Sequence, residues 1–287
     1  LLVLSSSPLI EIEPDYNFFT SRVFRQIILK EVLGISTQRN SDKQNAKYRE
    51  VFVTNINFGV ANHIFDKRLL NFDLKYLSNN LRIERDDLFK FIGTHTVYER
   101  YLAKVNGTRF ETQQAFWMRV AMGLSINEKN KEEKALDFYH LMSQFLYIPS
   151  TPTLFHSGYV KAQLSSCYLN SCNDDLKGIF KVFSDNAQMS KWSGGIGTDW
   201  SSVRSTGALI NSTNVESQGV VPFLKIANDV TVAINRSGKR RGAACSFLET
   251  WHLDIEDFID LKRNTGDERR RTHDMNTANW IPDLFMK

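Results

Sequence analysis

Beyond Gln163 the hydrophobic period of the chain switches repeatedly, and that alternation constrains its fold more than any other feature. Short apolar runs at 163–169, 196–203, 244–249 and 277–281 have the length and patterning of strands. Between them, 175–191, 221–235 and 254–263 carry helical spacing. Strands alternating with helices in this way form a parallel sheet with right-handed crossovers. Repetition of this kind does not by itself distinguish an open sheet from a barrel.

Upstream, the first 150 residues read as mainly helical. A helix is expected over 15–34: Asp15 follows Pro14 at its start, Phe19, Val23 and Ile27 recur every fourth residue, and Gly34 supplies a left-handed stop. Residues 37–47, polar and nearly free of apolar side chains, are expected to form an exposed loop. A short helix over 84–92 is expected to close at Gly93. Residues 112–125 carry Phe116, Val120 and Leu124 on one stripe, and 132–146 carry Ala135, Phe138, Leu141, Met142 and Phe145. Aromatic residues at helical spacing read as core. Two domains follow, a helical one over 1–150 and an α/β one over 151–287.

No apolar run approaches the roughly 18 residues that a membrane span requires, so no membrane partner is expected. The opening Leu-Leu-Val-Leu turns polar too soon for a signal peptide. Three cysteines in 287 residues make no disulfide framework, which points to a reducing, cytoplasmic setting. A net charge of +4 is too mild to demand a nucleic-acid partner, although basic residues cluster toward the end.

Chemistry concentrates between Ser150 and Gly197. There the chain offers Ser-Thr-Pro-Thr-Leu-Phe-His-Ser-Gly, then Gln163-Leu164-Ser165-Ser166-Cys167, then Gly194-Gly195-Ile196-Gly197. Period-2 alternation sets Ser166 and Cys167 on opposite faces of a strand, or at its end. Taken alone, such a thiol is a small buried hydrophobe, and Gly-Gly-Ile-Gly is a bare turn. Cys172 falls about 16 Å further along an extended strand, on the opposite side from Cys167 and beyond disulfide reach. Cys172 and Cys245 read as structural. Asp174-Asp175 has the look of a helix cap, and Arg236 to Ala243 that of a solvated basic loop or a nucleic-acid patch.

These strings together, with Glu111 to Leu124, Trp251-His252-Leu253-Asp254-Ile255 and Trp280 to Lys287, resemble in the same order the large catalytic (alpha) subunit of class I ribonucleotide reductase. The resemblance implies a helical N-terminal domain followed by the first half of a ten-stranded α/β barrel. It also implies radical-based reduction of ribonucleoside diphosphates, with Cys167 as one member of a redox thiol pair. Thr151, Ser166, Cys167, Gly194 and Gly195 would contact substrate. Asp174, Asp175, Lys191 and Arg204 would hold a nucleoside triphosphate effector, with the choice between the two aspartates left open. Ser237, Gly238, Lys239, Arg240, Arg241 and Gly242 would form a specificity loop.

No cofactor or metal is expected within the chain. The implied partners are a metal-containing, radical-generating small (beta) subunit, a second alpha subunit, and thioredoxin or glutaredoxin as reductant. The resemblance further implies that the chain is a piece of a longer one, lacking a preceding ATP-cone and, beyond Lys287, the radical-bearing cysteine, the glutamate base and the second thiol. On that view the 287-residue chain alone turns over no ribonucleotide and exposes an unpaired sheet edge. The rivals are an adenosylcobalamin-dependent reductase and a nucleic-acid-binding module.

Overall fold

In a computed structural model that describes residues 1–34, 41–192, 194–234 and 243–287, the polypeptide separates between Leu164 and Ser165 into two units. The first contains helices α1 (Leu2–Ser6), α2 (Tyr16–Leu33), α3 (Ser41–Ala61), α4 (Leu74–Asn79), α5 (Phe91–Thr96), α6 (Gln113–Ser125), α7 (Lys131–Ser143) and α8 (Thr151–His156). A small antiparallel pair, β1 (Lys104–Val105) and β2 (Thr108–Arg109), lies between α5 and α6. Every residue of α6 from Gln113 to Met122 is buried, which makes it the central helix of this unit. The same hydrophobic core holds Phe24, Ile28, Phe52, Phe65, Tyr139 and Leu154, each apolar side chain contributing about 1.5–3 kcal/mol by leaving water.

Three expectations for this unit are corrected. Residues 41–47 are helical, because α3 is anchored further on by buried Tyr48, Phe52 and Ile56, a four-residue spacing that lets a polar first turn grow from it. The 84–92 helix is replaced by a 3-10 turn, Ile83–Leu88, followed by α5. Gly93 lies inside α5, where a Cβ would come within 3.3 Å of the Phe89 ring, so it serves close packing and not termination. Finally, α8 belongs to the first unit. Thr153 Oγ1 donates to Leu164 O at 3.0 Å and the His156 ring bonds Gln163 O at 3.0 Å, which ties 163–164 to α8 and keeps them out of any strand.

A buried polar relay runs through the same core. Gln114 Nε2 donates to Asp86 Oδ1 (2.7 Å), Tyr48 OH donates to Asp86 Oδ2 (3.1 Å), and Tyr139 OH donates to Gln114 Oε1 (2.7 Å). Burial pushes the Asp86 carboxyl up to about 6, against the pull of the Arg25 charge and the two hydrogen bonds. The unfolded chain loses that proton near pH 4 and the folded chain near 6. The contribution of Asp86 to stability is therefore complete below about pH 4 and is lost as pH rises to 6, by about 3 kcal/mol at most. Urea denaturation of wild type and Asp86→Asn should show the wild type losing ground to the variant across that window. A constant difference from pH 4 to 7 would remove this role.

The second unit contains β3 (Cys167–Ser171), α9 (Leu176–Lys191), β4 (Gly195–Asp199), β5 (Thr206–Ile210), β6 (Val215–Gln218), α10 (Val221–Ile234), β7 (Ala243–Glu249), α11 (Ile255–Ile259) and β8 (Asn276–Trp280). Strands β3, β4, β7 and β8 form one parallel sheet in that order. The expected α/β alternation is thus present, with β3 starting at Cys167. One sheet face buries Ile196, Thr198, Ala244, Ser246 and Leu248, with Ile179, Val182, Phe183 and Leu224 of α9 and α10 in the same core. Asn170, Asn186 and Thr198 close a ring of side-chain hydrogen bonds of 2.7–3.1 Å that pins α9 to β3 and β4. An antiparallel hairpin, β5–β6, interrupts the alternation between β4 and α10. Among the described residues no helix is long and apolar enough to cross a membrane.

Candidate active and effector sites

Strand register decides which side chains share the open face of the sheet. Cys167 pairs with Gly195, which pairs in turn with Ala243; Leu169 pairs with Gly197 and that with Cys245, and Ser171 pairs with Asp199 and that with Phe247. Along β3 the odd positions are exposed and the even ones half-buried. Cys167 therefore stands in solvent at the head of β3, contrary to the buried-hydrophobe reading of an isolated thiol. Ser166 Oγ donates to Cys167 Sγ at 3.6 Å. Further along the same face, Leu169, Gly197, Asp199, Phe247, Glu249 and Trp280 line a cavity of about 260 Å³.

The two glycines have different jobs. A Cβ at Gly194 would come within 2.7 Å of the Tyr168 ring, so that glycine makes room for packing. A Cβ at Gly195 would lie 4.0 Å from Cys167 Sγ, so its absence leaves space beside the thiol. Their amides are used internally, Gly194 N donating to Met189 O at 3.1 Å and Gly195 N to Ser166 O at 2.7 Å. Neither amide waits for a phosphate. Thr151 opens α8 in the first unit, where Tyr101 OH donates to its Oγ1 at 3.5 Å.

The remaining thiols are shielded. Burial pushes the Cys172 thiol up to about 11, helped by Asp175, Asp174 and Asp199, and burial also raises Cys245 against the charge of Lys262. Both environments disfavour the reactive thiolate. Among the described residues no three His, Cys, Asp or Glu side chains are grouped to hold a metal ion.

Capping geometry separates the two aspartates. Asp175 is the N-cap of α9, accepting from Gly178 N at 2.7 Å. Asp174 instead receives Arg204 Nε at 2.9 and 3.0 Å and the Arg204 amide at 3.1 Å. Both partners of this pair remain about one-third exposed, within reach of a ligand. Lys191 does not share their site. It ends α9, a 16-residue helix that at 1.5 Å per residue sets it roughly 24 Å from Asp174. Its ammonium lies over the Trp192 ring. Ser237, Gly238, Lys239, Arg240, Arg241 and Gly242 lie outside the described residues.

The chain is similar to known proteins over most of its length. A family model described as the barrel domain of ribonucleotide reductase matches residues 165–287, and one described as its all-alpha domain matches 87–162. This chain belongs to the ribonucleotide reductase large-subunit family. It is 50% identical over 285 residues to the ribonucleoside-diphosphate reductase subunit alpha of Chlamydia muridarum, which covers 99% of the chain and 27% of that relative. The Helicobacter pylori subunit alpha is 41% identical over 96% of the chain and 34% of its own length. The large subunit of variola virus is 35% identical over 96% of the chain and 35% of its length. The chain thus spans about a quarter to a third of these curated relatives.

The sequence-level reading of this reductase-family chain missed His252 and Asp254, which are buried and bonded to the backbone of Val203 and Thr206 on either side of Arg204. Gly219, whose φ is +75° and whose Cβ would strike the Asp254 carboxylate, is the signal that a side chain occupies the hairpin's base.

Proposed function

We propose that the protein containing this chain reduces ribonucleoside diphosphates to deoxyribonucleoside diphosphates under the control of nucleoside triphosphates. The observation that carries this reading is the placement of Cys167, an exposed thiol flanked by Ser166 and Gly195, in a chain aligned with reductase subunits over nearly its whole length. In the balanced reaction the ribose 2′-hydroxyl leaves as water, a hydrogen takes its place on carbon, and two thiols become one disulfide. A metal-containing small subunit supplies the radical that starts it. Cys167 is one of the two thiols. Cys172 belongs to the opposite, buried side. Cys245 lies two strands away, about 10 Å across the sheet, whereas a disulfide spans Cα atoms about 4.4–6.8 Å apart. The second thiol is neither of these, and thioredoxin or glutaredoxin regenerates the pair.

Within this reading Thr151 and Ser166 offer hydroxyls to the substrate, and Gly195 leaves room for the ribose beside the thiol. Arg204 is the phosphate-binding fork, oriented by Asp174, which also offers an acceptor for a sugar hydroxyl. Residues 237–242 relay the identity of the effector. A second copy of the chain has apolar surface to meet, because Leu176 and Phe180 of α9 and Ile226 and Val232 of α10 are exposed.

The test is turnover by the full-length protein with its small subunit and a dithiol. Conversion of CDP to dCDP is expected without adenosylcobalamin. Dependence on adenosylcobalamin in place of the small subunit would move the protein to the cobalamin-dependent class. Steeply salt-dependent binding to DNA, without diphosphate turnover, would replace the reading by a nucleic-acid-binding one.

A further inference from the structure

Arg204 sits on a short connection between β4 and β5, and its aim depends on how that connection is held. On one side the Val203 carbonyl accepts a hydrogen bond of 2.7 Å from His252 Nε2. On the other, Thr206 N donates to Asp254 Oδ1 at 2.9 Å, while Val220 N donates to Oδ2 of the same carboxylate at 2.9 Å. Thr206 and Val220 are the two feet of the β5–β6 hairpin. Asp254 N in turn donates to His252 Nδ1 at 3.1 Å, so Nδ1 is the acceptor and Nε2 carries the hydrogen that Val203 receives.

The hairpin contributes little apolar burial of its own, so polar contacts hold it: besides those to Asp254, Arg204 Nη1 donates to Leu209 O at 3.3 Å and Thr206 Oγ1 donates to Gln218 O at 3.2 Å. Of the residues in β5 and β6 only Ser217 is buried. His252 and Asp254 are 5% and 4% exposed, and burying a carboxylate is costly unless its oxygens are satisfied. Both oxygens are, by backbone amides at the hairpin's base. Gly219 completes the fit, since any Cβ there would lie 2.2 Å from Asp254 Oδ2.

We propose that His252 and Asp254 are positioning residues for the triphosphate site: they lock the backbone on both sides of Arg204 so that its guanidinium faces Asp174 and the incoming phosphates. Neither side chain touches the ligand. The inference rests on the reading of Arg204 as a phosphate partner, and its test separates the two.

The probe is dTTP, titrated calorimetrically into the full-length protein, with thermal unfolding measured alongside. Asp254→Ala and His252→Ala are expected to raise the dissociation constant about tenfold, the scale of one or two charge-assisted hydrogen bonds. His252→Gln, whose amide can donate to Val203 O, should recover most of the affinity. Added to Arg204→Ala, Asp254→Ala should cost no further affinity, because it acts through that arginine. Asn228→Ala is the control for general damage. Asn228 Oδ1 accepts the amides of Asp274 and Met275 at 3.1 and 3.0 Å in the same unit, so its loss should lower Tm and leave dTTP binding unchanged. If Asp254→Ala does not fold, Asp254→Asn, which keeps one acceptor, carries the same expectation at smaller size. Should Arg204→Ala weaken dTTP while the Asp254 and His252 variants only lower Tm, the positioning role is overturned and the reading of Arg204 stands. Should Arg204→Ala leave dTTP affinity unchanged, that reading fails and the positioning role falls with it.

Discussion

Serine in place of Cys167 is expected to abolish dithiol-supported reduction of diphosphates by the full-length protein, by at least a factor of about 10³, or about 4 kcal/mol of barrier. The change removes one sulfur and little volume, so diphosphate binding should survive. A hydroxyl cannot form the disulfide that accompanies loss of water from the ribose. Cys172→Ser buries a hydroxyl in an apolar core and should lower Tm, by about 1–3 kcal/mol of stability, with turnover retained. Cys245→Ser, at a half-buried position, should do less. Rates of CDP reduction by the three variants decide the matter. Equal losses at all three would indicate packing damage, and normal turnover without Cys167 would remove its redox role.

The parallel sheet was legible because its strands and helices differ in period and lie close in sequence. Helices α6 and α9 and strands β7 and β8 fall within a few residues of their expected bounds. The β5–β6 hairpin was not legible, since its residues are mostly exposed and carry no alternation of apolar and polar side chains. Polar composition likewise hid the first two turns of α3, whose helical state is decided further along by Tyr48, Phe52 and Ile56.

At the candidate site the sequence offers residue types, and their geometry has to come from the fold. Composition assigns a lone thiol to the interior, but Cys167 is exposed because it falls on the odd-numbered side of β3, away from the helices. Adjacent aspartates are equivalent in sequence. They become distinct only when α9 starts at Leu176 and makes Asp175 its cap, leaving Asp174 to Arg204. Lys191 was grouped with them by the resemblance alone, and the length of α9, the helix it ends, sets it apart from them. The roles of His252 and Asp254 depend on contacts across 34 to 49 residues of sequence, which no local pattern reveals.

In the first unit the largest loss of stability is expected from Arg119→Met, about 3–5 kcal/mol. Arg119 is fully buried on α6, with Nε and Nη2 donating to Glu111 at 2.8 and 3.1 Å and Nη1 donating to Ser157 O at 2.6 Å. Glu111 Oε2 also accepts the Ala103 amide at 3.0 Å. Removing the guanidinium leaves a carboxylate in the core with one remaining donor, and desolvation then opposes folding with no ion pair to offset it. Arg119→Met combined with Glu111→Leu should recover much of the loss, because an apolar pair of similar volume carries no buried charge. Urea denaturation of the single and double variants measures both steps. The consequence reaches the proposed substrate contacts, since Ser157 is the C-cap of α8 and Thr151 is its first residue. A double variant that regains stability yet binds diphosphate poorly would place the remaining effect at the Ser157 carbonyl. A single variant that loses less than about 1 kcal/mol would mean that the pair does not organise this core.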